Sequence, residues 1–107
     1  MPITQCSAQE LQQHLDNGDQ IVILDVREPM EFAFAHIEGS FHIPLRQLPD
    51  RVDELNREQM IVVVCHHGMR SQQACQFLEQ SGFNRLYNLK GGIDAWSLTC
   101  DPSIPRY

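Results

Sequence analysis

The residues Cys65-His66-His67-Gly68-Met69-Arg70-Ser71 follow an apolar run, Ile61 to Val64, without a break and lead into a segment with helical periodicity. A cysteine at the end of a strand is most often a small apolar filler. Its followers here argue for chemistry: two imidazoles, a glycine and a guanidinium make poor core material, because arginine is almost never buried unpaired. They suit an anion cradle. A loop closing on a helix N-terminus turns several backbone N–H groups inward, and the helix dipole adds partial positive charge there. Both favour the thiolate, the nucleophilic form of cysteine. Cys65 is therefore the candidate nucleophile, and the N–H groups of His66 to Ser71 are its candidate anion hole. Gly68 supplies the tight turn. Arg70 offers a fork suited to the oxyanion of a substrate, or equally to a structural carboxylate such as Asp25 or Glu28. His66 and His67 add partial positive charge near neutral pH, and Met69 and Ser71 complete the candidate binding loop.

The surrounding pattern says what must hold this loop. Ser7 with Glu10 is a capping-box signal, and Leu11 and Leu15 on one face with Gly18 as a stop predict a helix over Ala8 to Asn17. Ile21 to Val26 and Ile61 to Val64 are continuous, β-branched apolar runs that predict strands buried on both faces. Phe41 to Ile43 and Leu86 to Leu89 are weaker strand candidates, and Pro49 to Leu55 predicts a helix. After the loop, Ala74, Phe77, Leu78 and Ser81 recur at helical spacing as far as Gly82, and Cys75 shares a buried face with Leu78. Trp96 reads as core packing in a short helix after Gly91-Gly92. Strands alternating with helices predict an α/β layer structure, with a mainly parallel sheet flanked by helices. Ligands gather at the carboxyl ends of such strands, where Cys65, Asp25 and Arg27 fall. Asp25 and Arg27 read as a pair supporting the site.

A chain of 107 residues suits a single domain over 1–107. The net charge of −6 argues against nucleic acid and acidic membrane surfaces as partners, since both need a basic footprint. No basic segment followed by an apolar stretch opens the chain, so neither a signal peptide nor a membrane span is expected and a cytoplasmic location is. Four cysteines at irregular spacing fit free thiols better than a disulfide framework. A zinc site on Cys65, His66, His67 and Cys75 departs from the usual ligand spacings, so no metal or other cofactor is expected.

The loop Cys65-His66-His67-Gly68-Met69-Arg70-Ser71 resembles the active loop of the rhodanese-like sulfurtransferases. So do Asp25-Val26-Arg27-Glu28-Pro29-Met30-Glu31-Phe32, His36-Ile37-Glu38-Gly39-Ser40 with Ile43-Pro44, and Gly91-Gly92-Ile93-Asp94-Ala95-Trp96, in the family's order. The resemblance implies a three-layer α/β/α fold with a small central sheet. It also implies an activity: Cys65 takes the outer sulfur of thiosulfate or a similar donor, carries it as a persulfide and passes it to a thiol, protein or other thiophilic acceptor. Ala35 and His42 depart from the residues common in relatives. Two rival readings are a catalytically idle docking or regulatory module of the same fold, and a related phosphatase or arsenate reductase. The latter use a loop one residue longer, whereas Cys65 to Arg70 is the six-residue form.

Overall fold

The computed structural model describes residues 3–106. Its centre is a five-stranded sheet made of β1 (Thr4–Cys6), β2 (Ile21–Asp25), β3 (Phe41–His42), β4 (Met60–Val64) and β5 (Leu86–Leu89). The strands lie in the order β1-β5-β4-β2-β3 and every pairing is parallel. The apolar runs form the middle of this order. Val62 and Val63 of β4 are buried on opposite faces, as a parallel sheet covered on both sides requires.

Helices α1 (Ala8–Asp16) and α5 (Gly92–Thr99) cover one face, with Leu11, Ile93 and Trp96 packed on Ile23, Val62 and Val64. The other face carries α4 (Met69–Gln80), whose Ala74, Cys75 and Leu78 pack on Leu24, Ile61 and Val63. Helix α1 starts at the capping box, with the Ser7 side chain accepting from Glu10 N–H and Glu10 accepting from Ser7 N–H. Asn17 caps it and Gly18 turns the chain away in the left-handed region.

Three elements differ from the sequence pattern. The segment expected as one helix from Pro49 to Leu55 is broken: 3-10 turns at Leu45–Gln47 and Val52–Glu54 flank a four-residue α3, Leu48–Arg51. One fully buried side chain, Leu48, anchors it, too little for a continuous helix. β1 is a three-residue edge strand without an apolar run. A short α2 (Pro29–Phe34) follows β2, with no buried residue of its own but with Pro29 in its first turn and Glu31 accepting from Glu28 N–H. The C-terminal strap packs along α5: Ile104 is buried and its carbonyl accepts from Ser97 Oγ at 2.6 Å.

From β2 the chain moves outward to β3, and from β4 it moves the opposite way to β5. The carboxyl ends of β2 and β4 thus flank the switch point at which open α/β sheets bind ligands.

Candidate active site

Cys65 is the first residue beyond β4 and lies on the floor of this switch point, 1 % exposed. The chain must reverse from strand to helix within four residues. Gly68 makes that reversal at φ +109°, a conformation that a side chain would strain, and Met69 then begins α4. The turn brings Gly68 N–H to 2.9 Å from Cys65 Sγ.

The loop is clamped from the opposite side by the first turn of α5. Ile93 N–H donates to the Cys65 carbonyl at 2.8 Å and Asp94 N–H to the His66 carbonyl at 3.3 Å. A trans peptide points its N–H opposite its C=O, so the N–H groups of His66 and His67 face away from α5. Gly92 is needed for this docking. At φ +61°, any Cβ there would collide with the Cys65 and His66 carbonyls.

Beneath the sulfur lies a neutral network, buried at Ser71 and Asn88 and reaching the surface at Gln5. Ser71 Oγ sits 3.4 Å from Cys65 Sγ and makes a short hydrogen bond to Asn88 Oδ1. Asn88 Nδ2 reaches the Gly68 carbonyl at 3.2 Å, Gln72 Oε1 at 3.1 Å and Gln5 Oε1 at 3.0 Å. Cys75 is buried nearby, and its partner is the Tyr87 carbonyl, an acceptor. Burial, then the neighbouring Cys65 and Glu79, push its thiol up to about 12.

The rim is charged and wetter. Arg70 forms a two-pronged pair with Glu31 of α2, at 2.5 and 2.8 Å. The carboxylate that meets Arg70 is thus Glu31, and neither Asp25 nor Glu28: Asp25 pairs with Arg27, and Glu28 with Arg46 at 3.2 Å. His66 and His67 stack with ring centres 3.9 Å apart, and His67 Nε2 lies 3.8 Å from Asp94. Arg106 holds the Asp94 carboxyl below its usual range through a 2.8 Å bond, with His67 and His66 adding to the effect. Met69 is almost fully exposed at the loop's crest.

Asp25 and Arg27 stand one strand away. Both are fully buried, and Arg27 binds the Asp25 carboxylate through Nε and Nη2 and the Ala35 carbonyl through Nη2 at 2.6 Å. The Arg27 carbonyl faces His42 Nε2 at 2.7 Å. A carbonyl only accepts, so that nitrogen carries the proton.

The residues singled out from the sequence thus fall into two groups at neighbouring strand ends: Cys65 to Ser71 around the sulfur, and Asp25 with Arg27 beside it. Sequence reasoning missed Asn88, Gln5, Gln72, Glu31, Asp94 and Arg106. Asn88 alone left a signal, as a polar residue inside the apolar strand Leu86–Leu89.

The family model for the rhodanese-like domain matches residues 7–99. The rhodanese-like/PpiC domain-containing protein 12 of Arabidopsis thaliana, a chloroplastic protein, is 39 % identical over 113 residues, covering 99 % of this chain and 38 % of that protein. The chain therefore spans well under half of that relative. The thiosulfate sulfurtransferase GlpE of Pseudomonas aeruginosa is 39 % identical over 88 residues, 82 % of this chain and 78 % of that one. Among solved structures, a rhodanese-like domain protein of Staphylococcus aureus superposes with a TM-score of 0.86 at 28 % identity, over 98 % of this chain and 99 % of that one. With the family model covering most of the chain and the fold agreeing with it, the chain belongs to the rhodanese-like sulfurtransferase family.

Proposed function

We propose that the protein is a thiosulfate sulfurtransferase that works through a persulfide on Cys65. The observation that carries this reading is the sulfur's position: Cys65 Sγ lies at the floor of the loop, at the carboxyl end of β4, and accepts the Gly68 N–H. The Cys65 thiolate attacks the outer sulfur of thiosulfate. The new S–S bond forms as the donor's S–S bond breaks, and sulfite leaves with the bonding pair. An acceptor thiolate then attacks the outer sulfur of the Cys65 persulfide and releases Cys65 as thiolate. Splitting the transfer into two displacements is covalent catalysis and gives ping-pong kinetics.

The depth of the sulfur favours this class of substrate. A sulfane sulfur is a single terminal atom and can approach a nearly buried Sγ, whereas a phosphoryl group must be surrounded by its cradle. Phosphatase turnover is therefore expected to be marginal. Intact mass spectrometry after thiosulfate treatment tests the proposal: the wild type gains one sulfur atom and releases sulfite, and Cys65→Ser does neither while remaining folded. Sulfur gain by Cys65→Ser at the wild-type rate would refute the assignment.

A further inference from the structure

The network under the sulfur has a direction. The Gly68 carbonyl only accepts, so the Asn88 atom 3.2 Å from it is the amide nitrogen. That fixes the amide's orientation and places Oδ1 against Ser71 Oγ. An amide oxygen also only accepts, so the single Ser71 hydroxyl proton points at Asn88. At the 3.4 Å contact between Cys65 Sγ and Ser71 Oγ the sulfur is then the donor. Sγ itself accepts from Gly68 N–H. Four residues close a ring with one sense: Cys65 S–H to Ser71, Ser71 O–H to Asn88, Asn88 N–H to Gly68, and Gly68 N–H to Cys65.

A ring of one sense fits one protonation state, the thiol. Once the thiol proton is gone, Ser71 Oγ has no donor facing it from the sulfur, and the anion keeps Gly68 N–H as its donor in the ring. Ser71 can supply a second hydrogen bond only by releasing Asn88. We propose that Asn88 is a positioning residue that acts through Ser71: it aims the hydroxyl away from Cys65 in the resting thiol and yields it to the sulfur when the sulfur becomes an anion. The inference rests on Cys65 as nucleophile. It adds a role in the second displacement, in which Sγ is the leaving group and regains negative charge that the turned hydroxyl can meet.

The other titratable and charged groups around the sulfur are Cys75 on α4, Asp94 with Arg106 beside α5, Arg70 with Glu31 across the rim, the loop histidines His66 and His67, and Asp25 with Arg27 at the end of β2. The Asn88 side chain hydrogen-bonds Ser71, Gly68, Gln72 and Gln5, not these groups, so a substitution at 88 removes none of their hydrogen bonds or ion pairs.

The test follows alkylation of Cys65 by iodoacetamide against pH, read by mass spectrometry, which does not depend on any sulfur donor. Asn88→Ala frees the Ser71 hydroxyl and should move the midpoint of the profile down by about one pH unit, roughly tenfold more thiolate at a given pH. In a Ser71→Ala background the same substitution should move nothing. Asn88→Val, better suited to a strand, should reproduce the shift and serves if the alanine variant does not fold. An unmoved or raised midpoint in the folded variant overturns the proposal. So does an equal fall with and without Ser71, which would mean that Asn88 merely braces the loop. Loss of sulfur transfer with an intact alkylation pattern would instead count against the proposed function alone.

Discussion

Two arginine–carboxylate pairs stand at the carboxyl end of the sheet, and they differ chiefly in how much water reaches them. Arg27 and Asp25 are 0 % and 1 % exposed, whereas the Arg70 and Glu31 side chains are 35 % and 22 % exposed. The chemistry of the groups is the same. Burial shields the first pair from water, so it acts as a rivet: Arg27 joins the end of β2 to the Glu31 carbonyl within α2 and the Ala35 carbonyl just after it. Water reaches the second pair. It holds α2 against the start of α4, and it also neutralises the Arg70 guanidinium. A half-exposed pair can therefore set selectivity in a way that a buried one cannot.

The largest expected effect comes from breaking the rivet. Arg27→Met strands the Asp25 carboxylate in the core and should cost about 3–5 kcal/mol, the usual penalty for removing one partner of a buried pair. Replacing both residues with apolar ones of similar volume should recover most of that loss. Urea unfolding of the single and double variants measures both; a single variant as stable as the wild type would place the pair among the ornamental ones.

Breaking the rim pair should change selectivity and leave the fold alone. Glu31→Gln frees Arg70 for a sulfonate and should raise kcat/KM for thiosulfate by roughly two- to fivefold, because a pair this wet is worth about 1 kcal/mol or less. Arg70→Met should lower it by a similar factor. An uncharged sulfur donor should respond to neither. Equal changes for thiosulfate and the uncharged donor would show that the pair shapes the loop and does not act on the donor's charge.

The same contrast explains what the sequence disclosed. The middle strands, α1 and α4 were readable because continuous apolar runs, a capping box and helical spacing announce elements that bury much surface. β1 and α2 were not, since three residues at an edge and a helix without a buried face leave little pattern. Within the site, Cys65 and its loop were legible as a local string. Glu31 was not: it lies 39 residues from Arg70 in sequence, and folding alone brings them together. Asn88 stands as a polar residue inside an apolar strand, and only the fold shows that it is 4 % exposed and holds the floor of the loop.

The smallest effect concerns the two thiols of this core, and it appears only in alkali. Cys65 faces an N–H donor, whereas Cys75 faces a carbonyl and is pushed up to about 12 from an ordinary thiol's 9.0, mainly by burial. A thiol whose value is raised on folding adds no pH dependence below its unfolded value, where both states keep the proton. Between about 9 and 12 the unfolded chain loses that proton and the folded one keeps it, so stability falls as pH rises through this window. Cys75→Ala should therefore flatten the alkaline decline of stability while leaving the region near neutrality without slope from this source. Chemical denaturation at several pH values from neutrality upward measures it. An unchanged alkaline slope in the variant would mean that Cys75 ionises as readily in the folded protein as in the unfolded chain, and that water reaches it beneath α4.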